Sequence, residues 1–163
     1  MLQKKICVLG GPAVGKTSLV SRFAKNFFTD RYLSTLGVKI DKKTHLCDGE
    51  PVTLVIWDLA GADELEGAAA GFLRGAAGYI VAIDGTRAET VRQAARLQHT
   101  TESLLGPVPF VIALNKCDLA QYHEDAGELS AHGAPLLRVS AKTGAGVERL
   151  FDTLVRAILG KAV

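Results

Sequence analysis

Cysteine is scarce and unpatterned in this chain: Cys7, Cys47 and Cys117 are odd in number and far apart. That excludes a disulfide frame or a cysteine-built metal site, and leaves free thiols suited to a reducing compartment. Long apolar runs are missing as well, and none precedes Gly10, so neither a signal peptide nor a membrane span is expected. Leu2 stands where myristoylation needs glycine, and the final Gly160-Lys161-Ala162-Val163 offers no cysteine for prenylation. Neither sign of charge dominates: the formal net charge is +2, with no basic stripe for nucleic acid and no charged tail. Hydrophobic residues make up 48% and charged residues 22%, which rules out wholesale disorder. Repeats, low-complexity tracts and linkers are also absent, and 163 residues suit one domain spanning 1–163. The expectation is a cytoplasmic, monomeric protein with no nucleic-acid partner and no stable membrane anchor.

What the chain does carry is a stretch between an apolar run ending at Leu9 and a segment that reads as helix: Gly10-Gly11-Pro12-Ala13-Val14-Gly15-Lys16-Thr17. Glycines flank four free positions and are followed by Lys and Thr, the phosphate-loop pattern. A polyphosphate spreads its charge over many oxygens, and successive backbone N–H groups can all face them only where the chain bends without side-chain obstruction. Glycine permits that bend. The helix start adds unpaired N–H groups and the positive end of its dipole. Lys16 is expected to reach the terminal phosphates and the Thr17 hydroxyl to bind Mg²⁺.

The rest of the chain alternates strand and helix patterns. Ile6–Leu9, Leu54–Trp57, Tyr79–Ile83 and Phe110–Leu114 are continuously apolar, as in strands covered on both faces. Val38–Leu46 and Pro51–Trp57 flank Cys47-Asp48-Gly49-Glu50, which marks an antiparallel hairpin. Helices are expected over about 16–25, 88–105 and a terminal stretch bearing Val147, Leu150, Phe151, Leu154, Val155, Ile158 and Leu159, closed by Gly160. On the middle helix, Ala94, Leu97, Thr101, Leu104 and Leu105 form the expected inner face. Residues 27–37 read as a ligand-wrapping loop, 60–78 as a mobile loop with a helix of modest stability, 119–132 as a weak helix, and Leu136–Val139 as a short last strand. The fold class is α/β: a six-stranded, mostly parallel sheet with one antiparallel edge strand and helices on both faces. In such sheets ligands bind beyond the carboxyl ends of the strands. The phosphate loop, Asp58, Asn115 and Ser140 all fall there, so residues far apart in sequence converge on one rim.

Two further motifs carry chemistry. Asp58-Leu59-Ala60-Gly61 suits a γ-phosphate sensor, with Asp58 holding a water of Mg²⁺ and the Gly61 amide approaching phosphate unobstructed. In Asn115-Lys116-Cys117-Asp118 the Asp118 carboxylate can accept from the N1–H and 2-amino donors of guanine and would repel the acceptor N1 of adenine. Lys116 can lie along the base and Asn115 can tie the loops together. Ser140-Ala141-Lys142 offers a backbone amide for guanine O6 and a lysine stem to cover the ring.

On these motifs, in this order and spacing, nearly the whole chain resembles the small GTPases of the Ras and Rab superfamily, with the P-loop NTPase fold. The resemblance implies a GTP/GDP switch that needs Mg²⁺, hydrolyses GTP and meets protein effectors and regulators at its switch loops. It implies nucleotide contacts from Gly11, Pro12, Ala13, Val14, Gly15, Lys16, Thr17, Ser18, Phe28, Thr35, Asp58, Gly61, Asn115, Lys116, Asp118, Leu119, Ser140, Ala141 and Lys142. Thr35, within Tyr32-Leu33-Ser34-Thr35-Leu36-Gly37, would supply the second Mg²⁺ hydroxyl beside Thr17 and the water-mediated Asp58. Phe28 would pack edge-on against guanine, and a second switch would run from Asp58 to about Arg74. Lys16, Thr35, Gly61 and position 62 would act in hydrolysis.

Position 62, however, is Ala62 where the family places a water-orienting glutamine. A methyl group cannot position water, so unaided hydrolysis is expected to be slow unless Asp63, Glu64 or a partner polarises the water. The alternative is a GTP-locked scaffold without hydrolysis. Pro12 fixes φ, removes a donor and would crowd an arginine finger. The family's lipidated tail is absent, which fits either a switch working in the cytosol, as in bacterial Ras-like members, or a missing tail. A small-molecule kinase is disfavoured by Asn115–Asp118 and by the want of an arginine-rich lid. Cys7 and Trp57 are read as strand packing, His45, His99, His123 and His132 as solvated, and Arg22, Arg31 and Arg87 as surface residues.

Overall fold

A computed structural model describes residues 1–24, 32–33, 38–59 and 68–163. Phe28, Arg31, Thr35, Gly61, Ala62, Asp63 and Glu64 lie outside the described residues. The strands are β1 (Leu2–Leu9), β2 (Tyr32–Leu33), β3 (Lys39–Cys47), β4 (Glu50–Asp58), β5 (Gly78–Asp84), β6 (Phe110–Asn115) and β7 (Leu136–Arg138). The helices are α1 (Lys16–Ala24), α2 (Ala68–Gly71), α3 (Glu89–Leu105) and α4 (Val147–Ile158).

The six expected strands form the sheet, with β3 antiparallel to β4 and parallel pairing from β4 through β7. Two residues of β2 extend it antiparallel to β3, giving the order β2-β3-β4-β1-β5-β6-β7. The chain runs from β1 towards one edge and returns to lay β5 on the other side of β1. That reversal opens a crevice at the carboxyl end of β1, where the phosphate loop begins.

Strand side chains alternate faces, so the sheet divides its buried residues between two cores. Ile6, Val8, Leu54, Ile56 and Ile80 join α1 and α4 on one face, where Phe23 and Phe151 stack with ring centres 3.8 Å apart. Cys7, Leu9, Tyr79, Val81 and Ile83 meet Ala94 and Leu97 of α3 on the other. Cys7 is fully buried, which pushes its thiol pKa up to about 12 and leaves it a packing residue.

Several details depart from expectation. β1 begins at Leu2, because parallel pairing with β4 carries the strand beyond its apolar half. Leu104 is 51% exposed; the inner face of α3 is instead completed by Thr90 and Gln98. The region 119–132 forms one 3-10 helix, Gly127–His132, rather than an α-helix. No described helix is long and apolar enough to cross a membrane.

Candidate nucleotide site

The phosphate loop is bent by residues in conformations few side chains accept. Gly15 has φ +99°, and a Cβ there would stand 2.4 Å from Asn115 Nδ2. Gly11 lies against α3 so closely that a Cβ would meet Gln93 Oε1 at 2.1 Å. Within the loop, the Lys16 ammonium donates to the Gly10 and Gly11 carbonyls at 2.6 and 2.7 Å, and Lys16 is buried.

At the end of β4, Asp58 is buried, and its Oδ2 accepts from Thr17 Oγ1 at 2.6 Å. The two groups expected near Mg²⁺ are therefore neighbours. Asp58 Oδ1 is buried without a hydrogen-bond partner among the described residues. Burial pushes the Asp58 carboxyl pKa up, with the Thr17 hydrogen bond and the Lys16 charge opposing it. An orphaned oxygen on an under-stabilised carboxylate, beside a hydroxyl, is a donor set that fits a hard divalent cation.

Asn115 ties two loops, as the sequence suggested: Nδ2 donates to the Val14 carbonyl at 2.9 Å, and Oδ1 accepts from the Ala141 amide at 3.1 Å. The Lys116 ammonium donates to the Ala13 carbonyl at 3.1 Å. Exposed Asp118 accepts from the buried Ser140 hydroxyl through Oδ1 at 2.7 Å, which fixes the carboxylate beside the loop 140–142. A cavity of about 410 Å³ opens between these loops, lined by Gly15, Ser18, Asn115, Lys116, Asp118, Leu119, Ala141 and Lys142. Every lining residue is one singled out from the sequence. Thr35, Phe28, Gly61 and Ala62 complete the expected set and lie outside the described residues.

Three residues at the site were missed because an isolated charge carries no spacing signal. Arg22, read as a surface residue, donates from Nε to the Ala141 carbonyl at 2.9 Å and from Nη2 to the Lys142 carbonyl. It thus joins α1, which starts at the phosphate loop, to the loop facing the cavity. Arg87, also read as surface, donates from Nη2 to the Pro12 carbonyl at 2.9 Å and from Nε to Asp84 at 2.9 Å. Asp84 ends β5 and also receives Lys116 at 2.8 Å. Burial would raise its pKa, but hydrogen bonds from Lys116, Thr86 and Arg87 outweigh that and hold it well below the usual carboxylate range.

Residues 5–160 match the Ras family. The human Ras-related protein Rab-8B is 32% identical over 163 residues, covering 96% of this chain and 79% of that protein. Ras-related protein Rab-13 of Mesocricetus auratus is 30% identical over 164 residues, covering 97% of this chain and 81% of its own length.

Proposed function

The chain belongs to the Ras family, and is a GTPase that binds GTP and GDP with Mg²⁺; from that premise we propose that it is a single-domain, monomeric, cytoplasmic switch whose unaided hydrolysis is slow. The observation that carries the siting is the convergence of three separate loops, after β1, β6 and β7, on the carboxyl rim of the sheet around one cavity, with Asp58 of β4 bonded to Thr17 beside it.

In this reading the backbone N–H groups of Gly11 and of residues 13–18, together with the Lys16 ammonium, hold the phosphates. The Lys16 ammonium, which donates to the Gly10 and Gly11 carbonyls at the mouth of the loop, is placed to reach the phosphate oxygens. Thr17, Thr35 and, through water, Asp58 hold Mg²⁺, which supplies charge neutralisation on the phosphates. Asp118 reads the N1–H and 2-amino group, Ser140 holds that carboxylate in place, and the Ala141 amide serves O6. Asn115, Lys116, Leu119, Lys142 and Phe28 frame the base. The Gly61 amide meets the γ-phosphate, and switching follows from loss of γ-phosphate contacts at Thr35 and Gly61. Effectors and regulators then read the two switch loops.

Slow turnover rests on Ala62, which offers a methyl where water must be oriented. Pro12 beside the phosphates leaves little room for an arginine supplied by a partner. Single-turnover GTP hydrolysis by the Ala62→Gln variant is expected to exceed that of the parent by at least about tenfold. An unchanged rate contradicts the assignment of slow turnover to position 62. The same assay separates the GTP-locked scaffold, for which the parent gives no hydrolysis at all.

A further inference from the structure

Two residues in strained conformations, one in the phosphate loop and one just after β6, meet at the nucleotide site. Ala13 has φ 60° and Lys116 φ 68°, both in the left-handed region that residues with a Cβ avoid. They are bonded to each other, Lys116 Nζ donating to the Ala13 carbonyl at 3.1 Å. Such strain persists only where its surroundings hold it.

What holds it is Asp84, 1% exposed. Its Oδ1 accepts from the Thr86 amide at 2.8 Å and the Thr86 hydroxyl at 2.6 Å. Its Oδ2 receives Arg87 Nε at 2.9 Å and Lys116 Nζ at 2.8 Å. Arg87 reaches on to the Pro12 carbonyl at 2.9 Å. Two consecutive carbonyls of the phosphate loop are thus each capped by a cation, and one buried carboxylate holds both cations.

The peptide plane makes this consequential. A carbonyl and the N–H of the next residue point in opposite directions within one rigid plane. Holding the Pro12 carbonyl outward turns the Ala13 N–H inward, and holding the Ala13 carbonyl outward turns the Val14 N–H inward. Pro12 has no N–H of its own, so the loop depends more heavily on those two donors.

We propose that Asp84 and Arg87 are positioning residues of the phosphate loop, which aim Lys116 and Arg87 at the Ala13 and Pro12 carbonyls and thereby set how long a nucleoside diphosphate stays bound. This rests on the reading of the phosphate loop given above. Neither residue touches the ligand; both act through the direction of the loop amides.

The test loads the full chain with Mg²⁺ and GDP carrying a ribose-linked fluorophore, and measures its release from Asp84→Asn, Arg87→Ala and Arg87→Lys. Release is expected to quicken on the order of tenfold for Asp84→Asn and Arg87→Ala, as one charge-assisted hydrogen bond warrants. Arg87→Lys, which still offers a donor to Pro12, stays within roughly threefold of the parent. In the first two variants the phosphorus resonance of the β-phosphate of bound GDP moves, which a merely structural role would not cause. Unchanged release and an unmoved resonance overturn the proposal, as does Arg87→Lys releasing as fast as Arg87→Ala with the resonance unmoved. Asp118→Asn run in parallel isolates the premise: if its base preference stays guanine, the site reading fails, whatever the other variants do.

Discussion

At Gly15 the absence of a side chain is a requirement of the site. A methyl there would stand 2.4 Å from Asn115 Nδ2, the atom that holds the Val14 carbonyl, and φ +99° is itself unfavourable for alanine. Gly15→Ala is expected to destabilise the protein by about 2 kcal/mol or more, measured by urea unfolding, and to weaken GDP retention in parallel. Asp118 presents a different dependence: Ser140 fixes one oxygen and the carboxylate borders the cavity. Asp118→Asn is expected to weaken GDP on the order of a hundredfold while improving xanthosine diphosphate, as read by competition binding. Both residues were legible in the sequence because their motifs are defined by spacing. Arg22 and Arg87 were not, because what they hold are backbone carbonyls and no residue type marks a carbonyl that needs a donor, nor was Asp84, whose partners Arg87 and Lys116 are brought to it by the fold. His45 escaped for a similar reason. It reads as solvated, yet Nε2 lies 2.8 Å from Asp152 Oδ1 on α4, a partner 107 residues away.

That contact belongs to a match between two elements. Lys43 and His45 are two apart on β3, and Glu148 and Asp152 are four apart on α4. Two strand residues advance about 6.6 Å and four helix residues about 6 Å, so the pairs Lys43–Glu148 and His45–Asp152 line up in register. Arg156, four further on, bridges Asp152 at 2.7 Å and Asp48 at 2.5 Å, and Lys161 reaches Asp48 and Glu50. The turn end of the hairpin is thereby clasped to the terminal helix and to Lys161 just beyond it. Burial would raise the Asp152 pKa, but hydrogen bonds from His45 and Arg156 win and lower it below 3.8. Above pH 4 the folded carboxylate keeps its bonds, whereas below it the unfolded chain takes the proton first and the advantage shrinks. Asp152→Asn is therefore expected to cost about 1 kcal/mol at pH 7, with the difference in urea midpoint closing as pH falls below 3.8. A constant difference across that range would contradict the clasp. The strands, the hairpin turn and the three long helices were legible because their apolar periods are strong. The inner face of α3 was misread at Leu104, where the stripe drifts off the core, and Thr90 and Gln98 are polar residues that only the packing reveals as buried. The 3-10 helix at Gly127–His132 has no periodic apolar face to announce it.

Across the whole molecule, the topology turns scattered motifs into one site. Reversal of direction at β1 places the loops after β1, β4, β5, β6 and β7 on the same rim, and residues from Gly15 to Lys142 close on one cavity. The rim and the loops that line the cavity were readable from motif order alone, since a doubly wound sheet has only one end where they can meet. The packing behind the rim, from Asp84 to Pro12, was not, because it depends on where α3 leaves the sheet. The proposed site holds guanine nucleotide, and on the proposal of slow turnover at Ala62 much of that nucleotide stays GTP. The most direct measurement is to denature the purified protein and identify the released nucleotide by chromatography. Guanine nucleotide near one equivalent, with a substantial share still GTP, is the predicted result. GDP alone would contradict slow turnover, and adenine nucleotide would contradict the base site itself.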